Sequence, residues 1–289
     1  MPTWLPALFA ALLGAVIGSF LNVCIVRWPE GESVVRPPSR CPRCGRQVRW
    51  YENVPVLSWI ALRARCAGCG LPISPLYPAI ELLVALGWLA AFVVFGPTFE
   101  ALRVAIFGTV LLGIAATDAR RYLIPDGFTV FLFLWGLATS MVAWGMAGET
   151  LFAAPFDAFV GACTGAGAIA IVGWLGERVF KKEAMGFGDV TMMAGVGAAL
   201  GPQRALLTVI VGAFLGAVAS VTILVPAAYV LHRRRTAGPV GGTNEEGARP
   251  AFEPPLVPFG VFLAPAAFLT LLWGDRMIVW YLTNVVNGQ

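Results

Sequence analysis

Five segments of this 289-residue chain, 4–26, 128–148, 158–176, 205–231 and 254–274, contain no charged side chain. An uncharged apolar helix of about 20 residues matches the hydrocarbon thickness of a bilayer. Lipid offers nothing to a free backbone amide, so such segments have one way to fold there, as helices. Two shorter runs, 82–95 and 104–117, are flanked by Glu81 and Arg103, whose long side chains are expected to reach toward the interface. A last run, 190–203, would rise only about 21 Å as a helix and needs a thin site or burial among neighbours. With these three included, the chain reads as an all-α polytopic membrane protein of about eight transmembrane helices. Composition agrees, because 58% hydrophobic residues, 12% charged residues and a mean hydropathy of +0.78 lie outside the soluble range.

Basic residues in short loops stay on the cytoplasmic side. Eight crossings place 17 of the 20 Lys and Arg residues in four alternate loops: eight within 27–65, then Arg120 and Arg121, then Arg178, Lys181 and Lys182, and last Arg233, Arg234, Arg235 and Arg249. Arg103, Arg204 and Arg276 fall on the other face. Without the 190–203 crossing, the Arg233 to Arg235 cluster would move to the wrong side, so the charges argue for it. Both termini then face outward. The first span is long, runs into a basic loop and lacks a small-residue cleavage site, so it reads as an anchor and not as a removed signal peptide. The net charge of +4 is this loop bias and gives no reason to expect nucleic acid. The expected division is a first transmembrane helix at 1–26, a cytoplasmic domain at 27–77 and a membrane domain at 78–289. A Gly-, Pro- and charge-rich loop at about 232–257 within the last part is expected to be flexible.

Two cysteine knuckles dominate the cytoplasmic domain. Cys41-Pro-Arg-Cys44-Gly45 and Cys66-Ala-Gly-Cys69-Gly70 are separated by 21 residues, close to the spacing of a four-cysteine zinc site. A two-residue gap lets both sulfurs of a tight turn face one ion, and the following Gly tolerates positive φ. Unmetallated thiols or two disulfides are the alternatives, and a reducing compartment disfavours the disulfides. Four thiolates leave no position for water, so the ion would be structural. A lobe of about 50 residues buries too little core alone, and metal ligation offsets that deficit. Cys24 and Cys163 lie within spans and read as apolar filler.

His232, the one histidine, sits beside Arg233 at a helix end, and the two lysines Lys181 and Lys182 belong to a basic loop. Metalloprotease and Ser-His chemistry are thereby excluded, so hydrolysis must rest on carboxylates. Asp118 closes the third span and Asp189, in Gly186-Phe-Gly188-Asp189, opens the sixth. Two crossings return them to one face at similar depth. Two close carboxyl groups do not both ionise readily, so one holds a proton while the other stays charged. That pair can polarise a peptide carbonyl and activate water together. Taken singly, Asp189 also reads as an N-cap, and Asp118 as a span end beside Arg120 and Arg121.

The ordered set Gly18-Ser19-Phe20-Leu21-Asn22-Val23, the two knuckles, Arg49-Trp50-Tyr51-Glu52-Asn53-Val54-Pro55, the stretch from Asp118 to Asp126, Gly186 to Asp189 and Pro258-Phe259-Gly260 resembles the type IV prepilin peptidases over nearly the whole chain. The resemblance implies a GxGD-type aspartic protease of the bacterial inner membrane. It also implies catalytic Asp118 and Asp189, and zinc ligands Cys41, Cys44, Cys66 and Cys69. Its substrates would be prepilins or type II secretion pseudopilins, cut after a basic leader at the cytoplasmic border. Its partners would be membrane lipid and the pilus or secretion assembly machinery. Many members also methylate the new amino terminus with S-adenosylmethionine, and the intact cysteine domain fits that bifunctional branch. Asp126 matches a recurrent family aspartate and reads as the N-cap of the fourth helix. Where the family often has lysine two positions after the second catalytic aspartate, this chain has Thr191.

The cytoplasmic loop has no strand followed by G-x-G-x-x-G, so methylation rests on the resemblance alone. Glu30, Glu32 and Glu52 are candidates for reading a basic leader; Glu81 is expected to be an interfacial anchor, with a methylation role as the alternative. A peptidase without methyltransferase activity, a proton-coupled transporter and a zinc-held secretion scaffold are the competing readings.

Overall fold

The computed structural model describes residues 4–146, 150–181, 185–236 and 257–286, and among them the chain is all-α. Helix α1 (Trp4–Arg27) leads into an extramembrane lobe holding the short α2 (Leu57–Ala61). There follow α3 (Leu76–Phe95), α4 (Phe99–Arg121), α5 (Asp126–Trp144), α6 (Pro155–Phe180), α7 (Phe187–Leu200), α8 (Pro202–Ala219), α9 (Val225–Thr236) and α10 (Gly260–Tyr281). Seven segments are long and apolar enough to cross a membrane: α1, α3, α4, α5, α6, the rod of α8 and α9, and α10 with the turn after it. A π turn, Ser220–Leu224, joins α8 to α9, just where Pro226 has no N–H to give the Thr222 carbonyl.

The expected crossing at 190–203 is the 14-residue α7, short of a lipid-matched span. Its length follows from its surroundings. Met192, Met193, Val196, Ala198 and Ala199 are wholly enclosed, so α7 meets protein where other helices meet lipid. A Cβ on Gly161 of α6 would overlap the Gly197 carbonyl oxygen, and one on Gly197 would overlap the Gly161 carbonyl oxygen. The two backbones touch, and only glycine allows it. The Ala153 N–H donates to the Ala199 oxygen at 2.8 Å. Gly201, at φ +82°, then turns the chain beside Asp157 into α8. Thus α7 runs back to the end of the bundle where α6 begins.

Three charged residues depart from expectation. Arg103 does not reach for the interface: it is 1% exposed, with its guanidinium 4.1 Å from the Phe152 ring centroid and 3.4 Å from Glu100. Aromatic faces and one acid thus take a charge that would otherwise end the helix. Helix α4 therefore begins five residues before the expected span, where Thr98 Oγ1 accepts the Ala101 N–H at 3.2 Å. Glu81 is also turned inward, its Oε2 accepting the Val56 N–H at 2.7 Å. Helix α10 continues beyond the expected end at 274 because Asp275 pairs with Arg204 at 3.0 Å. The expected loop at 232–257 lies largely outside the described residues, and α9 extends into its start.

The bundle has two packing groups. Helix α7 packs chiefly on α6 and α5, whereas α4 packs on α3, α10 and α1; α8 leans on both α10 and α6.

Candidate active site and four-cysteine cluster

Asp118 lies in the last turn of α4 and Asp189 in the first turn of α7, both buried. The link between α4 and α5 places Ile124, 5% exposed, at the centre of the site. A Cβ on Gly188 would stand 2.9 Å from Ile124 Cβ; one on Gly260 would stand 2.9 Å from Ile124 Cδ1 and 2.9 Å from Asp118 Oδ2. One isoleucine therefore fits between the residue preceding Asp189 and the glycine that touches Asp118. The two carboxyl groups come to one end of the bundle, within electrostatic reach of each other.

Each is held differently. Asp118 Oδ2 accepts the Val261 N–H at 3.1 Å, from the first turn of α10. Asp189 Oδ1 is buried and has no hydrogen-bond partner among the described residues. A buried polar atom left open by its own fold is uncommon and is free to accept from a water or a substrate. The N-cap reading of Asp189 does not hold, since Gly186 occupies the cap and Asp189 is the third residue of the helix. Arg121, close to Asp118 in sequence, pairs instead with Glu30 at 2.6 Å. Asp126 is the first residue of α5, with Pro125 in the cap position, one place from the expected N-cap. Thr191 Oγ1 donates to the Gly188 oxygen at 3.1 Å, so this side chain turns back onto its own helix.

In the lobe, the four Sγ atoms of Cys41, Cys44, Cys66 and Cys69 lie within 4.8 Å of one another. The knuckles repeat one geometry. Cys41 and Cys66 donate N–H to the oxygens of Arg46 and Leu71, both at 2.9 Å, and Gly45 and Gly70 both take φ +69°. The cysteines are free thiols, with Cys41 and Cys69 Sγ 3.9 Å apart, so the disulfide alternative fails. A tetrahedron with ~2.3 Å zinc–sulfur bonds sets its sulfurs roughly 3.8 Å apart, so the donor set fits that ion. Backbone N–H groups of Cys69 and Gly68 draw the Cys66 thiol down to about 6. Against the opposing Leu71 N–H, lost hydration and the neighbouring sulfurs push Cys69 up to about 11. Four sulfurs at this spacing could hold one cation between them, which would draw off their protons.

Glu52 serves the lobe itself. It pairs with Arg46 at 2.9 Å and accepts the Arg49 N–H at 3.0 Å, while Arg46 lies across Gly68 of the second knuckle. It is thereby withdrawn as a leader-reading candidate. Glu30 is occupied by Arg121, and Glu32 is exposed with no side-chain partner among the described residues. The lobe is rooted beside the carboxylates: Trp28 packs on Gly127 and edge-on to Phe128 at 4.4 Å. Glu81 makes the second root, holding Val56 at φ 60° and ψ −49°, a strained conformation for a β-branched residue. Cys24 is buried, whereas Cys163 lies on an exposed helix face.

Ile124, the Val261 donor and the Glu81–Val56 bond were not singled out from the sequence. Pro258-Phe259-Gly260 was the available signal for the second: a helix opening after proline, with glycine where a carboxylate must fit.

A helical bundle that brings two carboxyl groups together at one end has the arrangement that a polytopic membrane protease of the paired-acid type requires. Comparison with known proteins narrows it. Residues 12–95 match the bacterial peptidase A24 N-terminal domain and residues 105–221 the type IV leader peptidase family. A Myxococcus xanthus prepilin leader peptidase/N-methyltransferase is 42% identical over 219 residues, 75% of this chain and 63% of that protein. The Aeromonas hydrophila protein of the same name is 33% identical over 97% of this chain and 95% of its own, and that of Pseudomonas aeruginosa 34% identical over 94% and 91%. No solved structure matches the chain. The chain belongs to the type IV leader peptidase family, and is a multi-pass protein of the bacterial inner membrane.

Proposed function

We propose that this chain is an aspartic endopeptidase that removes the basic leader from type IV prepilins or type II secretion pseudopilins at the cytoplasmic membrane border, and then N-methylates the new amino terminus. One observation carries the peptidase: Asp118 and Asp189 come together beside Ile124, and an oxygen of Asp189 is buried without a partner among the described residues. The two acids share one proton. The ionised carboxyl takes a proton from water as the oxygen attacks the scissile carbonyl carbon, while the protonated one donates to the carbonyl oxygen. Collapse of the tetrahedral intermediate breaks the C–N bond and passes a proton to the departing amine. Val261 fixes the orientation of Asp118 through Oδ2 and leaves Oδ1 to the water. A prepilin fits this position, since its leader stays in the cytoplasm and its apolar helix in the bilayer.

Cys41, Cys44, Cys66 and Cys69 would hold a structural zinc ion that keeps the 27–77 domain folded, apart from the reaction. Helix α7, enclosed by protein, serves as a short eighth crossing in the 78–289 catalytic domain. The described lobe has single β-bridges, two 3-10 turns and one short α-helix, with no strand-to-helix phosphate loop for S-adenosylmethionine. Methylation is supported by the relatives' names, and no residue here is assigned to the methyl donor.

Mass analysis of a coexpressed prepilin tests both activities. Wild-type enzyme should yield the leaderless mass plus one methyl group. Asp118→Asn and Asp189→Asn should each lower cleavage by roughly 10²–10⁴-fold while the protein stays folded in the membrane. Cleavage surviving both changes would refute the peptidase, and a leaderless product without added mass would refute the methyltransferase.

A further inference from the structure

At the end of the bundle remote from Asp118, helices α3, α4 and α10 leave a cleft of about 420 Å³. Its wall is apolar, with Ala91, Val94 and Phe95 from α3 and Leu272 and Trp273 from α10; its one charged lining residue is Arg276. The volume is within the ~300–1,000 Å³ of ordinary ligand sites. Val94 and Trp273 are exposed on their helix faces, so in a bilayer the cleft opens to lipid. Leu151 closes the opposite side, and it is fixed there: its N–H donates to Glu100 at 2.5 Å and its carbonyl accepts from Arg204.

The charges at this end are unequally satisfied. Arg103 makes one 3.4 Å contact with Glu100 and lies over the Phe152 ring, its Nε and Nη2 buried without a partner among the described residues, and Arg204 pairs with Asp275. Arg276 has no ion pair or side-chain hydrogen bond among the described residues, and it is the cation that lines the cleft. A trough as apolar as lipid tails ends at an exposed guanidinium with no ion pair among the described residues, beside a tryptophan of the kind that marks membrane interfaces. A guanidinium binds a phosphate through two parallel N–H donors, and phosphate is the anionic group that membrane lipids carry.

We propose that this cleft binds one anionic phospholipid of the surrounding leaflet, with an acyl chain along α3 and α10 and the phosphate at Arg276. The apolar wall accepts any lipid tail, and Arg276 selects for charge. Bound there, the lipid fills the gap between α3 and α10, two helices of the group that carries Asp118.

Native mass spectrometry of the full chain, released from micelles containing equal phosphatidylglycerol and phosphatidylcholine, provides the test. Wild-type protein should retain phosphatidylglycerol in about fivefold preference, the factor expected for one basic residue at a membrane surface. Arg276→Gln should abolish the preference and Arg276→Lys should keep most of it, a contrast that survives any shared loss of stability. Val94→Trp, which fills the cleft from its open side, should reduce retention of both lipids. Equal retention of the two lipids by the wild type, or an undiminished preference in Arg276→Gln, would overturn the proposal. Displacement of phosphatidylglycerol by millimolar inorganic phosphate would also overturn it, by showing a simple anion site.

Discussion

Replacing Gly260 by alanine separates the chemistry of the site from the stability of the fold. The new methyl group would stand 2.9 Å from Asp118 Oδ2 and 3.3 Å from its Cγ, as well as 2.9 Å from Ile124 Cδ1. Two of these atoms are the far ends of side chains, which can swing away without moving a backbone. Gly260 is the first residue of α10 and does not take a positive φ, so alanine adds no backbone strain there. The variant should therefore fold and melt near the wild-type temperature. The carboxylate cannot keep its place, however, and it loses the Val261 N–H now 3.1 Å away. A hydrogen bond to a charged group contributes about 1.5–3 kcal/mol. If the whole of it is lost from the transition state, kcat/KM falls roughly 10- to 150-fold. The assay is leader removal from a purified prepilin in micelles, with thermal melting of both proteins alongside. Gly87→Ala is the control, because a Cβ there meets nothing within 4 Å. Wild-type cleavage by Gly260→Ala would refute the idea that this glycine makes room for Asp118, and equal losses in the two variants would refute its specificity.

Zinc should copurify in a one-to-one ratio by elemental analysis; Cys41→Ser or a strong chelator should remove it and expose the lobe to protease before the helices unfold. Metal-free protein with an equally resistant lobe would contradict this. Glu81→Ala deletes the carboxylate that holds Val56 and should destabilise the lobe's attachment by about 1.5–3 kcal/mol, seen as faster limited proteolysis within residues 28–75. Glu81→Gln should keep roughly half of that protection, and unchanged cleavage in both would exclude the tether. Gly197→Ala should cost about 3 kcal/mol or more, since its methyl group meets the Gly161 backbone. Loss of the monodisperse peak in size-exclusion chromatography is the expected outcome, with Gly167→Ala, which meets open space, behaving as wild type.

The helices were readable because a bilayer removes the alternatives: an uncharged stretch must satisfy its amides within itself. Their ends were not. The reading stopped at Arg103, yet Phe152, 49 positions away, supplies the ring that lets this arginine be buried. It likewise stopped at 274, where Arg204 on another helix neutralises Asp275. Such partners are set by packing and leave no local pattern. The short α7 was legible as an apolar run, and its enclosure by α5 and α6 explains why 14 residues suffice. Within the site, both aspartates and all four cysteines announce themselves by type and spacing. Ile124 does not, because nothing in the sequence distinguishes a hydrophobic wedge between two helix groups from any other isoleucine in a turn.

That wedge has a mechanical consequence. Asp118 is on α4, which packs on α1, α3 and α10, and Asp189 is on α7, which packs on α5 and α6. Ile124 lies between the two groups, against Gly188 on one side and Gly260 on the other. The spacing of the two acids is thus set by how one set of helices seats on the other, with a single side chain as the spacer.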